Sequence, residues 1–363
     1  MIDNNKVVDA LRTVKDPATG QDIIQRRMVE NLKIDGSNVN FTLVLPSLNT
    51  PNKTELIFAC IGAIKAVYPQ AETNVHSMTR NEDTTQPERP LAHIKNIIAV
   101  GSGKGGVGKS TVSVNLALGL MELGARVGLM DADVYGPSIP TMLGLQGKKP
   151  VVQDVYGQQK MMPLEAYGLQ VISIGNIIEP EQAVVLRGPR LAAIIKQFFN
   201  DVLWSELDYL IVDLPPGTGD VQLSLVQTVS VTGAVIVTTP QELAVIDAVK
   251  AMNMFLLPQV NVPILGIVEN MSWFTPEELP DNKYYIFGQG GGQKLAKKAQ
   301  TILLGQIPIV MGIREAGDLG KPIIVHNEPM TKRAFMGVAE NVARQVALRN
   351  EMLAPTQKVN LKV

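Results

Sequence analysis

The sequence has almost no cysteine and almost no histidine. Cys60 is the one thiol among 363 residues, and His76, His93 and His326 are the three imidazoles. A single thiol excludes an internal disulfide framework. The imidazoles are scattered without metal-ligand spacing, so soft-metal chemistry is short of ligands within one chain. Excess charge is missing too. A formal net charge of −1 leaves no basic footprint, and nucleic acid is not an expected partner. No run of about 18 apolar residues is present to span a membrane. The opening Met1-Ile2-Asp3-Asn4-Asn5-Lys6 lacks a signal peptide's apolar core, so the expected location is cytoplasmic. An apolar fraction of 45% is ordinary for a globular protein, and the length allows two domains.

What is present centres on Gly103-Lys104-Gly105-Gly106-Val107-Gly108-Lys109-Ser110-Thr111, which satisfies the phosphate-loop pattern G-x-x-x-x-G-K-[ST]. Ile97-Ile98-Ala99-Val100 reads as a buried strand feeding the loop. Val112, Leu116, Leu120 and Leu123 then recur at helical spacing up to Gly124, a C-terminal stop. Glycines let successive backbone N–H groups turn inward into an anion-binding nest. The helix that follows aims its positive end at the same phosphates. Lys109 is placed to bridge the β- and γ-phosphates, and the Ser110 hydroxyl to ligate Mg²⁺. Thr111 adds a hydroxyl toward the α-phosphate. The expected cofactors are ATP and Mg²⁺.

From about His93 onward, strand, loop and helix alternate, which predicts a parallel sheet covered on both faces. Arg126 to Met130 is the second strand, and it runs into Asp131-Ala132-Asp133 on the ligand-binding edge of such a sheet. Asp131 is either a magnesium partner at one remove or an acceptor for loop N–H groups. Leu207 to Asp213 is an apolar run closed by an aspartate, the place where a Walker-B carboxylate holds Mg²⁺ through water. Leu214-Pro215-Pro216-Gly217-Thr218-Gly219-Asp220 follows, stiff and then permissive, as a segment that senses the γ-phosphate would be. Gly233–Pro240 and Pro263–Asn270 are two further buried strands. Asn270 carries an amide able to donate to and accept from a nucleobase edge at once.

Residues 1–78 read as a separate small α+β unit. Val39, Phe41, Leu43 and Leu45 alternate as a half-buried strand, Met28 to Ile34 is its partner, and Asp35-Gly36 is the hairpin signal between them. Leu56, Cys60, Ala63, Ile64 and Val67 recur at helical spacing, which makes Cys60 a small buried hydrophobe. Residues 79–92 are polar, contain proline and lack periodicity, the composition of a linker. Residues 93–355 form the larger domain and 356–363 a tail.

The early Lys104, ahead of Gly-Gly-Val-Gly-Lys-Ser-Thr, resembles the deviant phosphate loop of the MinD/ParA/nitrogenase-iron-protein class. With GSGKGGVGKST, DADVYGPS, VDLPPGTGD, VENMS and IPIVMGIREAGD in order, residues from about Lys95 to Arg344 resemble the Mrp/ApbC-type iron–sulfur cluster carrier ATPases. Val14-Lys15-Asp16-Pro17, Asp22-Ile23 and the hairpin resemble the metal–sulfur cluster assembly domain found in front of such carriers. The implied fold is α/β: a P-loop NTPase with a mostly parallel sheet and helices on both faces, preceded by a small α+β domain.

The resemblance implies a homodimer that hydrolyses ATP slowly and delivers a cluster to apoprotein clients or works with cluster assembly proteins. It gives Lys104 a role in trans at the partner's nucleotide, makes Asp133 the residue that orients the attacking water within a switch segment at the metal, and puts Asn270 and the Ile307-Pro308 loop beside the adenine. Family members often carry a Cys-x-x-Cys after the Asn-Met-Ser. Here Trp273 to Tyr285 has none, and an iron–sulfur cluster is held overwhelmingly by thiolate. Glu277, Glu278 and Asp281 are a hard-cation site or a solvated acidic loop. Trp273, Phe274, Tyr284 and Tyr285 either meet a partner or pack the loop down. The competing functions are a MinD/ParA-like spatial-organisation ATPase and an ATP-dependent adaptor that binds no cluster.

Overall fold

The computed structural model describes residues 2–16, 20–26, 28–45, 53–79, 91, 93–134, 136–155, 158–177, 188–276, 278–279, 281–326 and 329–356. The chain divides into two compact units, Met1–Glu88 and Arg89–Val363.

The first unit opens with α1 (Asn4–Arg12), an element without a counterpart in the expected pattern. Its start is fixed by Asp3, whose side chain accepts from the Asn5 and Lys6 N–H groups. Strands β1 (Val29–Asp35) and β2 (Asn38–Leu45) pair antiparallel across the expected hairpin, with Gly36 at φ 62° in the turn. Helix α2 (Lys53–Val67) then crosses to β3 (Glu72–Thr79), which lies parallel to β2 at the edge. Val39, Phe41, Leu43 and Leu45 point into the core with Leu56, Cys60 and Ile64 from α2. Val67, expected on the same stripe, is instead 45% exposed at the end of the helix. Residues 46–52, residues 80–90 and 92 of the expected linker, and 357–363 of the expected tail lie outside the described residues.

The second unit is an eight-stranded sheet in the order β13-β12-β11-β4-β10-β5-β9-β8. Its strands, in chain order, are β4 (Ile94–Ser102), β5 (Val127–Asp131), β8 (Leu164–Ala166), β9 (Leu169–Ser173), β10 (Leu207–Asp213), β11 (Gly233–Thr238), β12 (Ile264–Phe274) and β13 (Leu303–Ile309). Neighbours are parallel except β8 and β9. An exposed antiparallel hairpin, β6 (Val152–Val155) with β7 (Gln158–Met161), stands apart from the sheet. Its mostly polar residues carry no hydrophobic period that would announce it.

Alternation along the central strands feeds two cores. Ile97 and Ala99 of β4 face one, with Leu210 and Val212 of β10; Ile98 and Val100 face the other, with Ile211. The second core is covered by α3 (Lys109–Glu122), α4 (Ile139–Met142), α9 (Met311–Asp318) and α10 (Pro329–Met352). The first is covered by α5 (Gly188–Asp201), α6 (Asp220–Thr228), α7 (Glu242–Leu256) and α8 (Gly291–Lys298). Strand β4 lies between β10 and β11, so the chain reverses its direction of travel across the sheet there. A crevice opens at the carboxyl ends of strands at such a point. Among the described residues no helix is long and apolar enough to cross a membrane.

Candidate functional site

The loop after β4 is shaped by what surrounds it. A Cβ on Gly103 would stand 2.0 Å from the Asp247 backbone carbon and 2.2 Å from the Ala248 nitrogen, both in α7. Gly108 is the N-cap of α3 at φ 78°, and a Cβ there would meet Asn270 Nδ2 at 2.1 Å. Backbone packing therefore demands glycine at 103, whereas at 108 the left-handed backbone favours it and a Cβ would have to displace the Asn270 amide.

Lys109, 6% exposed, donates from Nζ to Asp213 Oδ2 at 2.8 Å and lies 3.5 Å from Asp133 Oδ2. Ser110 Oγ donates to the same Asp213 oxygen at 2.6 Å, and Ser113 Oγ to the other at 2.6 Å. Sheet register sets the carboxylates: Asp213 stands beside Val100 on one side and Asp131 on the other. Asp131 accepts from the Asp133 N–H at 3.1 Å and from Ser173 Oγ at 2.8 Å. Of its two expected roles, the contact seen is with a loop N–H.

The electrostatics are unbalanced. Burial and the neighbouring Asp213 carboxylate push Asp131 up to about 7, against the pull of Ser173, the Asp133 N–H and Lys109. Burial raises Asp133 as well, opposed chiefly by Lys109. Asp133 and Asp213 pair with one ammonium, which Asp131 feels only from further off, and Asp133 Oδ1 is buried with no hydrogen-bond partner. An orphaned carboxylate oxygen beside a hydroxyl and a second carboxylate suits a hard cation such as Mg²⁺. Among the described residues no three His, Cys, Asp or Glu side chains are arranged to hold a metal. Magnesium fits by sharing its sphere with phosphate and water, as it commonly does.

Beside the loop is a cavity of 790 Å³ lined by Gly108, Thr111, Asn270, Met271, Phe287, Pro308 and Arg314, among others. Gly108, Thr111, Asn270 and Pro308, expected around a nucleotide, thus come together on one wall system. Asn270 Nδ2 donates to the Val107 carbonyl at 2.9 Å, tying β12 to the phosphate loop. Lys104 points elsewhere, its Nζ 3.3 Å from Gln241 Oε1 just before α7. Ser113, Gln222 and Glu269 also take part, with no signal of their own in the sequence. Glu269 is buried and accepts from the Gly292 N–H at 2.6 Å and Gln306 Nε2 at 2.7 Å, bracing β12 against its neighbours.

The segment in place of the Cys-x-x-Cys packs down through its backbone. Phe274 and Tyr284 exchange N–H···O bonds of 2.9 and 2.8 Å, and the Lys283 ammonium stands 4.2 Å over the Trp273 ring. The Tyr284 and Tyr285 side chains remain 45% and 41% exposed. Glu278 and Asp281 are exposed, the arrangement of a solvated loop; Glu277 lies outside the described residues. Cys60 is fully buried, and burial pushes its thiol up to about 12. It does not fit a thiolate ligand.

Residues 93–343 match the model of a family described as the NUBPL iron-transfer P-loop NTPase, and residues 4–77 match that of an iron–sulfur cluster assembly protein. The chain belongs to the NUBPL iron-transfer P-loop NTPase family. This NUBPL-family chain is 44% identical over 351 residues to a Synechocystis protein named an iron-sulfur cluster carrier protein, covering 96% of this chain and 99% of the relative. It is 45% identical over 357 residues to a Deinococcus radiodurans protein of the same name, covering 98% and 99%. Among solved structures, a nucleotide-binding protein from Archaeoglobus fulgidus in complex with ADP is 40% identical with a TM-score of 0.57. That match covers 68% of this chain and 94% of the other. The cell division ATPase MinD of Pyrococcus furiosus, at 22% identity and TM-score 0.50 over 69% and 99% of the two chains, shares the fold. The larger unit is therefore a P-loop NTPase, and the expected fold class holds.

Proposed function

We propose that this chain is an ATP-driven iron–sulfur cluster carrier or assembly factor, acting as a cytoplasmic homodimer on apoprotein clients or cluster assembly proteins. The observation that carries this reading is the buried Lys109–Asp213–Ser110 centre within a chain whose near-full-length relatives are named cluster carriers. In this reading residues 1–78 are the cluster assembly domain, 79–92 the linker, 93–355 the ATPase and 356–363 a tail. The spatial-organisation alternative rests on likeness to MinD at 22% identity, which speaks for the fold alone.

The amides from Gly103 to Thr111, with Gly105, Gly106 and Val107 between, hold the phosphates, and the α3 N-terminus adds its positive end. Lys109 leaves its carboxylates to neutralise charge on the transferred phosphoryl group. Ser110, Asp213 and Asp133 would hold Mg²⁺, which would supply neutralisation of phosphate charge. Asp133 Oδ1, which has no partner, is the oxygen open to the cation, and Oδ2, freed as Lys109 turns to the phosphate, accepts from an attacking water. Asn270 and Pro308 border the base. Lys104 releases Gln241 to reach the partner subunit's nucleotide. Hydrolysis is slow because it switches dimer geometry.

The cluster is cargo. With Cys60 buried and protonated, the thiolates that hold it come from outside this chain. Lys109→Ala tests the site. Its expected outcome is loss of ATP turnover and of ATP-dependent cluster delivery to an apoprotein, with folding retained by circular dichroism. Wild-type turnover in that variant would contradict the assignment.

A further inference from the structure

Beside the phosphate centre, one buried polar side chain has only half of its hydrogen-bonding capacity in use. Gln222, in the first turn of α6, is 2% exposed. Its Nε2 donates to the Pro215 carbonyl at 2.8 Å and to the Gly217 carbonyl at 3.1 Å. Its Oε1 is buried and has no partner. A carboxamide offers two donors and an acceptor oxygen, and leaving one side unmet in a buried place is unfavourable unless something else meets it.

The group that could meet it lies at the start of the same helix. Gly219 is the N-cap of α6 and has no side chain to cap the helix. A Cβ built on Gly219 would have Gln222 Oε1 as its neighbour, at 3.7 Å. Glutamine at the third helical position reaching back to the N-cap N–H is one half of a capping box. Gln222 occupies that position with its acceptor held close to the N-cap.

The loop it grips is fastened on its other side to the strand that feeds the phosphate loop. The Leu214 N–H donates to the Val100 carbonyl at 3.1 Å and the Gly217 N–H to the Ser102 carbonyl at 2.8 Å. Gly217 sits at φ 93°, in the left-handed region that favours glycine. The peptide unit is planar and trans, so a Gly217 carbonyl aimed at Gln222 turns the Thr218 N–H the opposite way. One side chain thereby sets the peptide planes of the segment that leaves Asp213.

We propose that Gln222 is a positioning residue for ATP hydrolysis. Its two donors set the Pro215–Gly219 loop, and its unpaired Oε1 receives the Gly219 N–H when the loop shifts around bound nucleotide. The proposal rests on the ATPase reading of the site. Two variants separate the halves of the carboxamide: Gln222→Met removes donors and acceptor, whereas Gln222→Glu removes the donors and keeps an acceptor.

The experiment pairs steady-state ATPase kinetics with hydrogen exchange across residues 214–222, with and without ATP. Both variants are expected to lose kcat about tenfold while KM for ATP stays within about twofold, the scale of one or two neutral hydrogen bonds made useful late in the reaction. Exchange of the Gly217 amide should accelerate in both. With ATP, protection of the Gly219 amide should persist in Gln222→Glu and vanish in Gln222→Met. Unchanged kcat in both variants would overturn the proposal. So would parallel losses in kcat and ATP affinity with faster exchange throughout the sheet, which mark simple packing. A wild-type protein without ATP turnover would overturn the ATPase reading and the catalytic part of this one, while the exchange comparison would still decide whether Gln222 holds the loop.

Discussion

Two fully buried titratable groups, Asp213 in the large unit and Cys60 in the small one, show what burial means in different company. Asp213 is 0% exposed, yet it meets an ammonium and two hydroxyls within 2.8 Å. Its neighbour Asp133 keeps an oxygen in hand, and a 790 Å³ cavity opens alongside the loop. Cys60 is equally buried, but the side chains packed with it in the core are Leu56, Ile64 and other apolar groups, and its thiol is held protonated. Charge buried among partners is poised for chemistry, because the low-dielectric surroundings strengthen each interaction. A thiol buried among aliphatic groups serves packing.

The contrast breaks most readily at Asp213. Asp213→Asn leaves Lys109 buried with only the more distant Asp133 opposite. It should lower ATP turnover at least a hundredfold and stability by about 3 kcal/mol, read by phosphate release and urea unfolding. Gly108→Ala comes next, since its Cβ would meet Asn270 Nδ2 at 2.1 Å from a backbone at φ 78°. An ADP affinity weakened by roughly tenfold and a loss of about 1–3 kcal/mol are expected, measured by calorimetry and denaturant melts.

The smallest effect sharpens the other side. The Cys60 thiol is raised from 9.0 to about 12 by burial, so the folded state favours the protonated form. Its contribution is fully present below pH 9.0 and is lost as pH rises toward about 12. Cys60→Ala should therefore flatten the alkaline limb of the stability–pH profile while ATP turnover at neutral pH stays unchanged.

Much of the large unit is legible in the sequence because its strands are buried on both faces. Leu207 to Asp213 reads as a continuous apolar run stopped by a carboxylate, and β10 has those limits. The phosphate loop declares itself through spacing alone. Strand β3 does not, since as an edge strand it carries Glu72, Asn74 and His76 exposed between half-buried residues. Ser113 is invisible for another reason: its meaning lies in a hydrogen bond to Asp213, 100 residues away. Gln222 likewise matters through the carbonyls it grips. Sequence spacing shows which groups share an element; only the fold shows which groups share a bond.

The most direct test is anaerobic reconstitution with iron and sulfide of wild type and Cys60→Ala, assaying bound iron, labile sulfide and visible absorbance with and without an added thiol. Equal values in the two proteins, rising when thiol is supplied, are expected if the cluster's ligands come from outside the chain. A cluster that forms in the wild type without added thiol and disappears in Cys60→Ala would contradict this and make Cys60 a ligand.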